Sequence, residues 1–430
     1  MSKGVLLGVP EDVLCSLVIP DCRVLLMART CKRMLQVLST RYSPVHVSVR
    51  KEVLTDSRLA REFTLGMHRM QALFRIMHFD CIGFSNATRC VELKLCEFED
   101  LTFLHLRHLK MHHNQLREMH LMNLLHILKF SHDLRTFEFT QQSLMSRHVP
   151  ALADAISCFA ALEVLNVENN FFVFDSLGTV LDAVRSSTLS TLKLSSNRCD
   201  DSAQTLKLCR VIYSSCNCLK VLDLSFMLLR NTAFESLAGA ISCCALLETL
   251  DLSRNHLHCG ALLEVLESTS NCRHLQSFNW SGNRLGSAGT FLLANHIAKT
   301  DAWKGSMRAL RLRGCDIYNN MQQLTNALTL CTSLQTLDIS ANAVLAHEVH
   351  ALFVHMHIRS LDISDNYISD FGMRALLRLA MQNNMLHELQ VEGNHLTTHS
   401  VRLLRKMKKA RGMSMTVPRA SCFCELCNRD

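Results

Sequence analysis

The sequence predicts an α/β solenoid, a horseshoe with a parallel concave sheet and convex helices, preceded by a small helical N-terminal segment. Three observations predict it. A column of residues recurs at Asn114, Gln142, Asn170, Asn197, Met227, Asn255, Asn283, Cys315, Asn342, Asn366 and Asn394, with spacings between 24 and 32 residues. An alternating apolar pair precedes most of these positions, as in Leu192-x-Leu194 and Leu250-x-Leu252. Apolar residues at helical spacing fill the intervening stretches, such as Phe291-Leu292-Leu293 with Ile297 and Ala298, or Leu376, Leu377 and Ala380.

Each observation has a physical reason. Successive side chains of a strand point to opposite faces, so the two apolar residues of the pair enter one core and the residue between them faces out. Strands of successive units stack in parallel about 4.8 Å apart. The asparagine can bond backbone groups where the chain leaves the strand and polar groups need partners. Gln142, Met227 and Cys315 depart from asparagine and predict weaker turns.

The full pattern, L-x-x-L-x-L-x-x-N-x-L, is met by Leu247-x-x-Leu250-x-Leu252-x-x-Asn255-x-Leu257 and by Leu386-x-x-Leu389-x-Val391-x-x-Asn394-x-Leu396. It resembles the leucine-rich repeat, and the unit length with a full helix resembles the ribonuclease-inhibitor-like subclass. The repeats are expected over residues 90–411, as about 11 to 12 units, with a degenerate one at Leu93-x-Leu95-x-x-Phe98. Residues 45–89 are expected to be a linker or N-terminal cap with helical segments, and residues 412–430 a C-terminal cap or tail.

Cysteines fit the same frame. The chain has 20 of them, and Cys158, Cys216, Cys243, Cys272 and Cys331 fall three or four residues before the leading leucine of a unit. A thiol in register with the core reads as a small buried hydrophobe. Trp280 takes a leucine slot, which assigns it to packing. With no secretory leader read at the N-terminus, the thiols are expected to be reduced, in cytoplasm or nucleus.

Residues 1–44 do not repeat. Pro10-Glu11-Asp12 suits a helix start, Val13, Leu14, Leu17 and Val18 form a stripe, and Asp21 can cap a second helix. A third helix is expected from Thr30 through Leu38. Such helices can simply close the end of a solenoid core. The segment also resembles an F-box, in Val9-Pro10-Glu11-Asp12-Val13-Leu14 and in Val24-Leu25-Leu26-Met27-Ala28-Arg29-Thr30-Cys31-Lys32-Arg33. Val9 replaces the usual leucine, and Met34 stands where that family often has tryptophan. The resemblance implies docking on the adaptor subunit of a cullin ubiquitin ligase, with Val9, Pro10, Val13, Leu14, Leu17, Val24, Leu25 and Cys31 in or near the interface.

The chain carries no nucleotide-binding G-x-x-x-x-G-K-[ST], no G-x-S-x-G and no H-E-x-x-H, so no catalytic residue and no cofactor are expected. His108 and His112 lie roughly 13 Å apart if their segment is a strand, too far to share an ion. Cys422, Cys424 and Cys427 lack a fourth close ligand, so no metal is expected there either.

The outward residues of the strands read Lys110, Glu138, Asn166, Lys193, Asp223, Asp251, Asn279, Arg311, Asp338, Asp362 and Gln390. Aspartate in L-D-L-S is a common solvated choice of this repeat. As a surface, however, the concave face is broad and regular and is the expected place for a protein partner, with Lys193, Asp223, Asp251, Arg311, Asp338 and Asp362 as candidates. The formal charge is +8, concentrated in Arg402, Arg405, Lys406, Lys408, Lys409 and Arg411. This basic cluster reads as a solvated helix face: no membrane partner is expected, and nucleic acid is disfavoured. The expected function is a non-catalytic recognition scaffold, quite in keeping with a cullin-ligase substrate receptor. The alternatives are a structural or cytoskeletal scaffold, a small-GTPase regulator, or an inhibitor that engulfs its target.

Overall fold

The computed structural model describes residues 46–49, 76–80, 107–112, 118–142, 144–172, 175–349, 358–382 and 385–416. The chain forms two compact units, Met1–Arg198 and Cys199–Asp430.

In the first unit six parallel strands run β1 (His46–Val49), β2 (Ile76–Asp80), β3 (His108–His112), β4 (Thr136–Thr140), β5 (Val164–Asn166) and β6 (Thr191–Lys193). Each pairs with its predecessor, and the register aligns Lys110, Glu138, Asn166 and Lys193. Helices α1 (Glu118–Leu128), α2 (Val149–Ser157) and α3 (Ser176–Ala183) connect the later strands. Two strands thus lie within residues 45–89, where a linker with helical segments is expected from sequence. The repeat is hard to see there because the column position six residues beyond each strand start is Glu52 and Ile82 rather than asparagine. The degenerate unit at Leu93–Phe98 lies outside the described residues.

The second unit holds β7 (Val221–Asp223), β8 (Thr249–Asp251), β9 (Ser277–Asn279), β10 (Ala309–Arg311), β11 (Thr336–Asp338), β12 (Ser360–Asp362), β13 (Glu388–Gln390) and β14 (Ser414–Thr416), again parallel and paired in order. Its helices are α4 (Ser202–Ser215), α5 (Asn231–Ser242), α6 (Cys259–Thr269), α7 (Gly286–Lys299), α8 (Asp301–Ser306), α9 (Met321–Leu328), α10 (Ala346–Val349), α11 (Asp370–Gln382) and α12 (Thr398–Arg411). Strand β14 lies beyond residue 411, in what the sequence presents as a cap or tail; Met413 and Met415 are buried there. The longest unit, from Asn283 to Cys315, uses its extra residues for α8, which buries Trp303 against Phe278 with ring centroids 5.1 Å apart.

The core is built from the alternation. Leu222, Leu250, Phe278, Leu310, Leu337, Leu361 and Leu389 are buried at the middle of their strands. Leu224, Leu252, Trp280, Leu312, Ile339, Ile363 and Val391 are buried two residues on, which places Trp280 in packing as expected. Each such side chain contributes about 1.5–3 kcal/mol by leaving water. The helices supply the other wall. In α7 the stripe is Leu293, Ala294 and Ile297; Phe291 and Ala298 are exposed, so the stripe sits one step round from its sequence assignment. In α11 Met373, Leu376 and Ala380 are buried and Leu377 half-buried.

The asparagine column forms a ladder. Asn255 Nδ2 donates to the carbonyls of Leu224, Leu252 and Ser253, while its Oδ1 accepts from the amides of Met227 and Leu229. Asn170, Asn197, Asn283, Asn342, Asn366 and Asn394 repeat the bridge to the carbonyl three residues back and to one in the preceding unit. At Gln142 the longer side chain still reaches two carbonyls, at 3.0 and 2.6 Å, but its Oε1 is buried without a partner. At Cys315 the thiol lies 3.5 Å from the Trp280 carbonyl, and buried Met227 offers no side-chain donor. Directly before the column the backbone turns left-handed in every unit from Gln141 to Gly393, with glycine at only Gly282, Gly314 and Gly393.

Among the described residues eleven cysteines are free. Cys272 and Cys331, three residues before their leucines, are buried as expected, and burial pushes both thiols up to about 11. Cys243 is exposed and Cys158 and Cys216 only partly covered. In two of these units the core slot lies three residues ahead of the leucine, where Cys244 and Phe159 fill it, so Cys243 and Cys158, one residue earlier, turn outward; Cys216, three residues before Leu219, is nonetheless only partly covered. The thiols of Cys243 and Cys158 lie 3.5 and 3.4 Å from the carbonyls of Gly239 and Asp154.

Candidate interaction surface

Strand register fixes where the outward residues stand. In the second unit Asp223 pairs with Asp251, then in order with Asn279, Arg311, Asp338, Asp362 and Gln390. Five of the six candidates from the concave face therefore share one row. Lys193 stands in the corresponding row of the first unit, beside Asn166. On either side of the central row of β7–β12 the outward residues are short, Val221, Thr249, Ser277, Ala309, Thr336 and Ser360 on one side and Ser225, Ser253, Ser281, Ser340 and Ser364 on the other; Arg313 and, at β13, Glu388 and Glu392 are the long exceptions. Arg311 and Arg313 rise from this floor of short side chains.

The aspartates are more than solvated choices. Oδ1 of Asp223 accepts from the amide and hydroxyl of Ser225, at 3.0 and 2.7 Å. Asp251 holds Ser253, Asp338 holds Ser340 and Asp362 holds Ser364 in the same way. One oxygen of each carboxylate thus fixes the exit of its strand. Asp251 Oδ2 also accepts from Asn279 Nδ2 at 2.7 Å. Burial, with the charge of Asp223 adding, raises the Asp251 carboxyl above the usual carboxylate range, against the lowering effect of its hydrogen bonds.

The two arginines are tied to the floor as well. Arg311 Nη1 donates to Ser277 Oγ at 3.2 Å, and Arg313 Nη1 donates to Ser340 Oγ at 2.8 Å. Arg313 Nη2 also meets Asp365 Oδ2 at 3.1 Å, an ion pair that spans two units and that the repeat pattern does not announce. Both partners are substantially exposed, so the pair serves chiefly to orient the guanidinium. The row reads as acid, acid, neutral, base, acid, acid, neutral on a rigid backbone.

Other sequence candidates fall elsewhere. Val9, Pro10, Val13, Leu14, Leu17, Val24, Leu25 and Cys31 lie outside the described residues, as do Cys422, Cys424 and Cys427. His108 Nδ1 lies 2.9 Å from Thr136 Oγ1, and burial lowers its pKa. Among the described residues, no three His, Cys, Asp or Glu side chains are grouped so as to hold a metal ion. A feature missed in sequence is the strand-to-helix edge, where Tyr367 stacks on His395 with ring centroids 5.6 Å apart. Its signal was present in the position following the asparagine column of two successive units.

A profile described as Leucine Rich repeat matches residues 354–377, which carry β12, the Asn366 rung and the start of α11. Over those residues the chain matches the leucine-rich-repeat family. A search of curated proteins finds no match. Among solved structures, the chain is similar to an internalin from Listeria monocytogenes, at 13% identity and a TM-score of 0.43, over 86% of this chain and 97% of that one. A leucine-rich-repeat protein of Leptospira interrogans matches at 13% identity and a TM-score of 0.37, over 90% and 98%. The Toll–Spatzle complex of Drosophila matches at 15% identity and a TM-score of 0.39, over 82% of this chain and 40% of that one.

Proposed function

We propose that this leucine-rich-repeat chain is a non-catalytic recognition scaffold of the ribonuclease-inhibitor-like type, and that it serves as the substrate-recognition subunit of a cullin ubiquitin ligase. The observation that carries the scaffold reading is the aligned row from Asp223 to Gln390. Seven outward side chains are held in register by strand pairing and by Asp–Ser and Arg–Ser bonds, so they meet a partner with little loss of side-chain freedom. The charge order favours a protein partner with basic patches at both ends and an acidic patch opposite Arg311 and Arg313. Units close to 28 residues with full helices support the subclass. The ligase role rests on the F-box resemblance of Val9–Leu14 and Val24–Arg33, whose apolar residues would dock the adaptor.

Co-purification with a cullin-ligase adaptor subunit tests the ligase role. The full chain is expected to retain the adaptor, whereas Pro10→Ala/Leu25→Asp and a chain lacking residues 1–44 lose it at unchanged repeat stability. Failure of the folded full chain to retain any adaptor would leave the first residues as a cap and the molecule as a structural scaffold.

A further inference from the structure

A strongly basic surface of the second unit lies on the helices α11 and α12. α11 and α12 pack side by side and are related by the repeat, so Arg374 corresponds to Arg402, Arg378 to Lys406 and Met381 to Lys409. On α11, Phe371, Arg374, Arg378 and Met381 recur at helical spacing and occupy one face within about 80° of arc. On α12, Arg402, Arg405, Lys406 and Lys409 share one face within about 100° of arc. All eight are exposed, while Met373, Leu376 and Ala380 of α11 and Val401, Leu404 and Met407 of α12 turn into the core. α12 contains no carboxylate, and α11 only Asp370 in its first turn. Among the described residues Arg378, Arg402, Arg405, Lys406 and Lys409 make no ion pair.

We propose that this face docks on an anionic membrane surface, with the six cations against lipid headgroups. The sequence shows only the cluster on α12, which reads as a solvated face; the fold adds Arg374 and Arg378 beside it and makes two parallel rows. Cations three and four residues apart repel one another, and a layer of fixed negative charge relieves that repulsion. The choice of a bilayer over nucleic acid rests on Phe371 and Met381, which are 71% and 55% exposed within the same basic face. Both can enter the boundary between headgroups and acyl chains, whereas a phosphodiester backbone offers Met381 no apolar phase. No aromatic residue is interleaved among the four cations of α12 to stack on bases. The contact is peripheral: no helix among the described residues is long and apolar enough to cross a membrane. It also uses the helical side of the unit and leaves the outward row of β7–β13 uncovered for a partner.

Co-sedimentation of the full chain with vesicles tests this directly. Binding is expected to vesicles of phosphatidylcholine with roughly 30% phosphatidylserine, and not to phosphatidylcholine alone. Arg402→Glu/Lys406→Glu/Lys409→Glu, whose positions are exposed and whose thermal unfolding should match the parent, is expected to bind at least about 100-fold more weakly. Phe371→Ser should weaken binding less while preserving its dependence on phosphatidylserine. Equal sedimentation of the triple variant, no preference for phosphatidylserine, or tighter binding to single-stranded RNA than to the vesicles would each overturn the proposal.

Discussion

Replacing Asn255 by alanine is expected to destabilise the second unit by about 3–5 kcal/mol, a large loss for a single polar side chain. The side chain is buried and serves three carbonyls and two amides in two consecutive units. Alanine removes all five bonds at once and leaves no room for water to reach every group. Each buried polar group stranded this way costs about 1–3 kcal/mol, and partial relaxation keeps the total below the simple sum. Glutamine should cost less, because Gln142 shows that the longer amide still reaches two carbonyls, with its oxygen left unpaired. Urea unfolding followed by intrinsic tryptophan fluorescence measures this, since both tryptophans lie in the neighbouring units. A loss below about 1 kcal/mol would mean that strand stacking holds the units together without the ladder.

The second large effect is acid sensitivity from His296. It sits on α7 against Trp303, with ring centroids 5.1 Å apart, and its Nε2 is buried without a partner. Burial alone pushes the imidazole down to about 4 from an ordinary 6.5. The folded state therefore disfavours the protonated ring. The stabilising contribution of the neutral ring is complete above pH 6.5 and is lost as pH falls toward 4, amounting to about 3 kcal/mol at the bottom of that window. His296→Leu keeps the apolar contact and removes the titration. The parent should lose stability between these pH values by about that amount more than the variant does, in paired denaturant titrations. Parallel pH profiles for parent and variant would show that the ring opens to water before it charges.

The repeat was legible because its determinants are local: one side-chain type at a near-constant interval and an alternating apolar pair. The outward row follows from the same alternation, which alone puts Asp223, Asp251, Arg311, Asp338 and Asp362 on one face. What escaped depends on contacts between units. Strands β1 and β2 lack the asparagine that marks later units, so they read as a cap. Cys243 and Cys158 miss the core slot by one residue, which a count of three or four residues before a leucine does not resolve. The Asp–Ser clamps are two residues apart and were visible in L-D-L-S, but their hydrogen bonds depend on the backbone leaving the strand at that point. The Arg313–Asp365 pair spans 52 residues and needs the fold. The two basic rows of α11 and α12 are likewise separated by a full unit, and only stacking brings them together.

On the function proposed above, the outward row of the second unit is where a protein partner is held. It is tested most directly by placing a photoreactive amino acid at Ala309, outward on β10 beside Arg311, and another at exposed Leu263 on α6. Irradiation of cells carrying each full chain, followed by identification of the cross-linked protein, compares the two faces. A discrete partner is expected to cross-link from position 309, to be absent from position 263, and to be lost when Arg311→Glu and Arg313→Glu are introduced together. Cross-links that form only from position 263, or that persist unchanged through the charge reversal, would contradict it.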